Sequence, residues 1–243
     1  DRSVSRGLGD VYKRQMWESI LESFSKAFQL MGAGDKLLSE IVSTTLLMSL
    51  QSSVYSFLIG VPVGILIALN EFPGKKAVVT VIRTLMGLPA VAVGILIYML
   101  FSGTGPFGAS GLIYSVELMV IAQVVLITPI VAGMTENAVG ATTKAMKETA
   151  YGMGLSRTKT FLLALNECKF QLIAVYLFAF ARSIAEVGAV QIVGGNILHK
   201  TRVMTTAIAL NYNTGQFQLA VALGIILILI VLSLIHISEP TRH

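Results

Sequence analysis

Four long stretches of the chain contain no ionisable side chain, and they constrain the fold more than any other feature. No Asp, Glu, Lys, Arg or His occurs in residues 41–70, 84–116, 118–135 or 203–235. A helix needs roughly 20 apolar residues to cross the ~30 Å hydrocarbon core of a bilayer. Because 54% of all residues are apolar and 13% are charged, we expect an all-α integral membrane protein and not a soluble domain.

The apolar pattern predicts five spanning helices, at about residues 41–69, 78–101, 113–134, 169–193 and 216–235. Ahead of them, residues 17–31 carry apolar side chains at helical spacing, and Gly32 and Gly34 follow. The apolar positions are Trp17, Ile20, Leu21, Phe24, Phe28 and Met31. This pattern predicts an amphipathic helix that either lies in the membrane interface or packs against the other helices.

The two ends of the chain differ from the rest in composition. The strings SVSRGLGDVYKRQ and SLIHISEPTRH resemble translated read-through of sequencing adapters. We therefore expect residues 1–15 and 236–243 to be non-native tails and Met16 to be the native start. A single transmembrane domain then occupies residues 16–235.

Positive side chains are concentrated in two of the connections between the predicted spans. The connection 70–83 and the long connection 136–168 are basic, whereas residues 102–112 carry no Lys or Arg. Lys200 and Arg202, in the 194–215 connection, oppose this trend. Because cytoplasmic loops accumulate Lys and Arg, we expect the N-terminus outside and the 136–168 loop in the cytoplasm.

Three prolines lie inside the predicted spans. Pro62, Pro89 and Pro129 each interrupt an apolar stretch, so each is expected to kink or break its helix. Such a proline either allows a helix to move as the bundle opens and closes or serves helix packing alone.

The connection 136–168 is too long to be a simple link between two spans. Thr142 or Thr143 can cap a helix that Gly152 and Gly154 end, and Ser156 can cap a second one. The pattern predicts a short helix across the cytoplasmic face.

Residues 148–154, ETAYGMG, resemble the EAA loop of ATP-binding-cassette importer permeases. The family usually has Ala where Thr149 stands, and a Leu-Pro pair where this chain has Asn166 and Glu167. The resemblance extends over residues 16–235 and implies the type I ABC importer permease fold. It also implies that Glu148, Thr149, Ala150 and Gly154 couple the chain to an ABC ATPase subunit.

The same resemblance implies the rest of the assembly. It predicts a homodimer with a second permease copy, an extracytoplasmic binding protein, and a multi-pass location in a bacterial or archaeal cell membrane. The chain contains no Gly-x-x-x-x-Gly-Lys-[Ser/Thr] string, so ATP hydrolysis is expected from a partner subunit and no catalytic role, cofactor or metal is expected here. Nucleic acid is not an expected partner.

The fourth predicted span contains two charged residues, Arg182 and Glu186. Each costs about 2.5–3.5 kcal/mol near the centre of a membrane helix, so both should face the bundle interior or water. Their four-residue spacing places them on one helix face. They form either a locking pair between helices or part of the transport pathway, and both roles are compatible.

The segment 181–190, ARSIAEVGAV, resembles the Arg-x-x-Gly-Glu-x-Gly-Ala segment of molybdate, tungstate and sulfate permeases. The following QIVGGNI, residues 191–197, is most similar to tungstate permeases. The resemblance implies import of a tetrahedral oxyanion, tungstate first and then molybdate or sulfate. Candidate pathway or gate residues are Arg182, Ser183, Glu186, Gly188 and Asn196.

Other assignments remain open from the residues alone. Lys200 and Arg202, together with Arg182 and Asn196, can either raise the anion concentration near the outer mouth or form an ordinary solvated loop. An ion-coupled secondary carrier is the main rival, because kinked helices and intramembrane charges also mark that class. A permease for another small solute is a further alternative.

Overall fold

The fold was obtained as a computed structural model that describes residues 34–238, together with residues 17, 18, 20–22, 24, 25, 28, 29 and 32. Within residues 34–238 the chain forms nine α-helices and one short 3-10 turn, Gly108–Ser110. The helices are α1 Lys36–Leu69, α2 Lys75–Leu85, α3 Ala90–Phe101, α4 Val116–Gly152, α5 Arg157–Glu167, α6 Lys169–Ile184, α7 Gly188–Gly194, α8 Met204–Asn213 and α9 Phe217–Ser238. The all-α prediction is confirmed.

Three segments are long and apolar enough to cross a membrane: α1, residues Val116–Thr142 of α4, and residues Phe217–Leu234 of α9. Two helix pairs reach that length only together. The pair α2 and α3 is bent by 94°, and the pair α5 and α6 by 70°. If each bent pair is one span, the described part of the chain has five, which is the predicted number.

The second predicted span, 78–101, is not one helix. It divides into α2 and α3, and Pro89 is the residue immediately before α3, with φ −64° and ψ 119°. Proline disfavours helical geometry in the residue before it and fits well at the start of a helix. Pro89 therefore separates two helices, as the sequence suggested.

Pro62 and Pro129 do not break their helices, and a kink at either stays a prediction. α1 continues through Pro62 and α4 continues through Pro129. α4 also passes residues 142 and 143 without a break, so no helix begins at Thr142 or Thr143. Within a bilayer no water can satisfy freed backbone groups, which favours a continuous helix wherever neighbouring helices support it.

The fourth predicted span, 169–193, is also divided. α6 ends at Ile184, and the short helix α7 begins only at Gly188. Glu186 therefore lies in the break and not on the same regular helix as Arg182. The four-residue spacing nevertheless brings the two side chains into contact.

α1 and α4 pack closely against each other, and glycine makes the approach possible. A Cβ added to Gly60 would lie 2.8 Å from Val131 Cβ, and one added to Gly64 would lie 2.6 Å from the Ala132 carbonyl oxygen. Small residues permit such contacts between membrane helices. Most of the buried apolar core surrounds this pair together with α3, α6 and α7, and a smaller cluster joins α8 and α9 to the start of α1.

The described residues between 17 and 32 are helical. Four large apolar side chains there are exposed, namely Trp17, Leu21, Phe24 and Phe28. The remainder of the predicted amphipathic helix, the predicted tail 1–15, and residues 239–243 lie outside the described residues. α9 runs to Ser238, three residues into the segment predicted as a tail.

Candidate functional site

A buried polar cluster joins three helices that are distant from one another in sequence. Gln123 of α4 accepts hydrogen bonds from Ser52 of α1 at 2.6 Å and from Ser183 of α6 at 2.8 Å. Its amide nitrogen donates to the Ser183 carbonyl oxygen at 2.9 Å, and the two serine hydroxyls are 2.6 Å apart. All three side chains are fully buried. We call this group the Gln123 cluster, and it ties α1, α4 and α6 together.

The predicted site residue Ser183 belongs to this cluster, whereas Ser52 and Gln123 were not predicted. A usable signal was present, since Gln123 is the one amide side chain in the charge-free stretch 118–135. Ser52 is one of several buried hydroxyl side chains of α1. The other buried hydroxyls of α1 are Thr45, Ser49, Ser53 and Ser56.

Arg182 and Glu186 form a short ion pair at the break between α6 and α7. The distance from Arg182 Nη1 to Glu186 Oε2 is 2.6 Å. Glu186 Oε1 accepts from the Ala189 backbone N–H at 3.3 Å, and the Glu186 carbonyl accepts from the Thr205 hydroxyl at 2.8 Å. The pair predicted from the sequence is therefore formed, and it also connects the break to α7 and α8.

Gly188 serves a close contact between two short helices. A Cβ at Gly188 would lie 2.7 Å from Val91 Cγ2, and one at Gly94 would lie 2.8 Å from Ala189 Cα. These glycines let α7 lie directly against α3. The structure thus gives Gly188 a packing role beside the charged pair.

Asn196 organises the loop between α7 and α8. It has a positive φ of 51°, and its Oδ1 accepts from Thr206 Oγ1 at 3.0 Å and from Arg202 Nε at 3.3 Å. Arg202 Nη2 also donates to the Asn196 carbonyl at 3.3 Å. Arg202 is therefore engaged within the loop, whereas Lys200 is exposed. The role of these residues in concentrating anions stays a prediction.

A groove of about 770 Å³ lies between α1 and α4, and Lys200 is part of its lining. Most of its walls are aliphatic. The polar lining residues are Thr44, Gln51, Tyr55, Glu117 and Lys200. Thr44, Gln51 and Tyr55 lie within the spanning helix α1, where polar side chains are unsuited to full exposure to lipid.

The predicted coupling segment ends α4 with a regular C-terminal motif. Gly154 has φ +62°, the Leu155 N–H donates to the Ala150 carbonyl at 2.9 Å, and the Gly154 N–H donates to the Tyr151 carbonyl at 3.0 Å. This pair of bonds defines a Schellman motif, which requires a left-handed residue at the Gly154 position. Ser156 then caps α5, as predicted, by accepting from the Lys159 N–H.

The four predicted coupling residues are not equally accessible. Glu148 and Thr149 are exposed, and so is Gly154. Ala150 is only 4% exposed and belongs to the interior of this chain, so its small side chain serves packing here. Tyr151, which was not predicted, is 90% exposed and is the most prominent apolar group on this turn.

An ion pair connects α2 to α4 at a position on α4 between Gln123 and the coupling segment. Arg83 Nη2 lies 3.5 Å from Glu136 Oε2 and donates to Asn137 Oδ1 at 3.1 Å. Arg83 is mainly exposed, so solvent screens this pair. It is a second Arg–Glu pair of the chain, distant in sequence from the one at the α6–α7 break.

The chain is similar to known membrane transport proteins over most of its length. The sequence family described as "Binding-protein-dependent transport system inner membrane component" matches residues 60–239. The tungstate uptake system permease protein TupB of Campylobacter jejuni is 36% identical over 233 residues, which cover 96% of this chain and 98% of that protein. A probable anion ABC transporter permease protein of Haloferax volcanii is 34% identical over 207 residues, covering 82% and 89%.

A solved structure shows the same fold at low sequence identity. Inward-facing conformations of the MetNI methionine ABC transporter match with a TM-score of 0.67 and 19% identity. The match covers 83% of this chain and 93% of that chain. The predicted type I importer permease architecture is confirmed at the level of the fold.

Proposed function

This chain belongs to the family of binding-protein-dependent transport system inner membrane components, and on that premise we propose that it is the permease subunit of an ATP-driven importer for a tetrahedral oxyanion. Tungstate is the first candidate, followed by molybdate and sulfate. The observation that carries the proposal is the 36% identity to a tungstate uptake permease over nearly the full length of both chains. An ion-coupled secondary carrier is not favoured by this family membership.

The long helix α4 offers a mechanical route from the ATPase to the membrane interior. Its 37 residues make a rod of about 55 Å at 1.5 Å per residue. One end carries Glu148, Thr149 and the Gly154 turn, and Gln123 lies within the membrane part. A displacement of the turn by a separate ATPase would therefore reach α1 and α6 through the Gln123 cluster, as in rigid-body alternating access.

We further propose the orientation and assembly that this mechanism requires. The coupling turn faces the cytoplasm and the N-terminus lies outside, which follows from the basic 70–83 and 136–168 connections. A second copy of the permease completes the pathway. Two surfaces support that proposal, because the α1–α4 groove with Gln51 and the α6 face with Arg182 both carry polar groups that would be costly against lipid.

The pathway residues of the proposal are Arg182, Ser183, Glu186, Gly188 and Asn196. Arg182 supplies a positive charge. Ser183 follows it on α6 and is held in place by its hydrogen bonds to Gln123. Glu186, Gly188 and Asn196 shape the segment beyond α6. Hydrolysis of ATP belongs to the partner subunit, and this chain is not a catalyst.

Reconstituted uptake tests the proposal. The permease, its cognate ATPase and its oxyanion-binding protein are placed in proteoliposomes, and tungstate uptake is followed with and without ATP inside. We expect uptake only when all three proteins and ATP are present, and none with a hydrolysis-deficient ATPase. Uptake that persists without the ATPase and collapses with an ionophore would instead identify a secondary carrier.

A further inference from the structure

The two partners of the Arg182–Glu186 pair are in different surroundings. The Glu186 side chain is 4% exposed, whereas the Arg182 side chain is 36% exposed. A buried carboxylate is stable only when its oxygens are compensated. Both Glu186 oxygens are compensated, one by the guanidinium and one by the Ala189 N–H. The Thr205 hydroxyl also holds the Glu186 main chain, so the carboxylate is the fixed partner.

The arginine uses little of its hydrogen-bonding capacity. A guanidinium carries five N–H donors in a planar fork, and Arg182 donates from Nη1 to Glu186. No further hydrogen bond of Arg182 to any described residue of the chain is present. The Nε and Nη2 groups therefore remain available on the exposed side of the ion pair.

Arg182 lies on a face of α6 that the described residues leave uncovered. Gln171, Ala174 and Phe178, at the preceding turns, are exposed, and so is Ala185 just beyond the helix. Arg182 is thirteen residues from the start of α6, about 20 Å along the helix axis. With Lys169 at the inner membrane surface, as the proposed orientation requires, Arg182 lies well inside a core of ~30 Å. Because an arginine facing lipid at such depth is costly, this face borders a second copy or a water-filled passage.

We propose that Arg182 is a weak oxyanion subsite, and that Glu186 is a built-in counter-ion that keeps the anion from being trapped. This inference rests on the proposed import function. The free edge of the guanidinium matches two oxygens of a tetrahedral oxyanion in a bidentate arrangement. The neighbouring carboxylate cancels most of the arginine charge, so the donors orient the anion without binding it tightly. Weak, directional contact suits a passage that must also release its solute.

Neutralising Glu186 gives the most distinctive test. Glu186→Gln keeps an oxygen for the Ala189 N–H but removes the negative charge beside Arg182. We expect tungstate to bind the permease–ATPase complex about tenfold more tightly, because a nearby like charge has been lost. In proteoliposomes the KM for uptake should fall and the maximal rate should also fall, since release becomes slower. Loss of rate with an unchanged KM and an unchanged affinity would overturn the proposal.

Two further variants keep the test decisive if Glu186→Gln folds poorly. Arg182→Lys retains the charge but loses the planar fork, and it should raise the KM several-fold without changing the melting temperature. Arg182→Gln/Glu186→Gln keeps a neutral hydrogen-bonded pair and should abolish direct tungstate binding. If both variants bind and transport tungstate like the wild type, the pair is only a structural lock and the subsite is refuted.

The Arg83–Glu136 pair supplies a matched control. Arg83→Gln removes an arginine that pairs with Glu136 at 3.5 Å, and Glu136 lies about 20 Å along α4 from Gln123. We expect its KM for tungstate to equal that of the wild type. A rise in KM as large as that of Arg182→Lys would contradict a local role for Arg182. Failure of the import function itself is distinguishable, because the wild-type complex would then show no ATP-dependent tungstate uptake.

Discussion

Replacement of Gly154 by alanine tests whether the turn after α4 transmits force, because this position depends on backbone geometry alone. Gly154 has φ +62°, and no atom lies within 4 Å of the Cβ that a substitution would add. Alanine therefore meets no steric neighbour there, and its cost comes from the left-handed conformation. The two hydrogen bonds that close the turn, from Leu155 and Gly154, exist only in that conformation.

The cost of a left-handed L-residue is about 1–2 kcal/mol. A change of one or two kcal/mol corresponds to a factor of roughly 5–30 in a conformational equilibrium. Gly154→Ala should lower both ATPase association and ATP-driven uptake within that range, while the amount inserted in the membrane stays unchanged. Gly154→Asn should be milder, because asparagine tolerates this conformation better than alanine does.

Gly152 is a matched control two residues away. It is also exposed, and an added Cβ would again have no neighbour within 4 Å, but it lies inside the last turn of α4. Alanine is favoured over glycine in a helix by about 1 kcal/mol, so Gly152→Ala should be neutral or slightly stabilising. The assay is co-purification of the ATPase together with uptake. Equal losses for the two variants, or none for Gly154→Ala, would refute the reasoning.

Three other predictions follow from contacts away from this turn. Gly64→Ala places a Cβ 2.6 Å from a main-chain oxygen of α4, so it should lower the free energy of unfolding by about 1–3 kcal/mol, as measured by thermal unfolding. Gly224→Ala is the control, because an added Cβ there has open space around it and should leave the stability unchanged. Gln123→Leu leaves two buried serine hydroxyls without their amide partner, and should cost about 1–2 kcal/mol in denaturant unfolding; an unchanged midpoint would contradict the cluster. The hydrogen bond and the charge of Lys75 lower the pKa of Glu71, so Lys75→Ala should raise that pKa toward its ordinary value in an NMR titration, and the stabilising effect of the pair should be lost as the pH falls.

The number of spans and several helix ends were predictable because they depend on local chemistry. Long apolar stretches set the spans, and the turn signals at Gly154 and Ser156 act over three or four residues. The sequence indicated the break at Pro89 in the second span, but the break in the fourth span was not predicted. Proline signals also conflict, since Pro89 immediately precedes a helix while Pro129 lies within one, and the difference arises from packing between helices that are distant in sequence.

The candidate site was predictable in part for the same reason. The spacing of Arg182 and Glu186 was sufficient to predict their contact, because i and i+4 positions meet even at a helix end. Gln123 and Ser52 are 71 residues apart, and no local pattern indicates that they meet. The burial of Ala150 likewise depends on where α4 lies in the folded chain. The motif alone therefore could not indicate whether Ala150 faces the ATPase subunit or the interior of this chain.

The distribution of long and short helices indicates where this fold can change shape. α1 and α4 each exceed the thickness of a bilayer and are held together by backbone contacts at Gly60 and Gly64, which favours movement of the pair as one body. α3 and α7 measure about 18 and 10 Å at 1.5 Å per residue, so neither crosses the ~30 Å core alone. Each follows a short non-helical segment between two helices, where a few backbone angles can absorb a hinge motion. Arg182 and Glu186 lie at one of these breaks, so a rotation there would move the guanidinium relative to the Gln123 cluster and change its exposure.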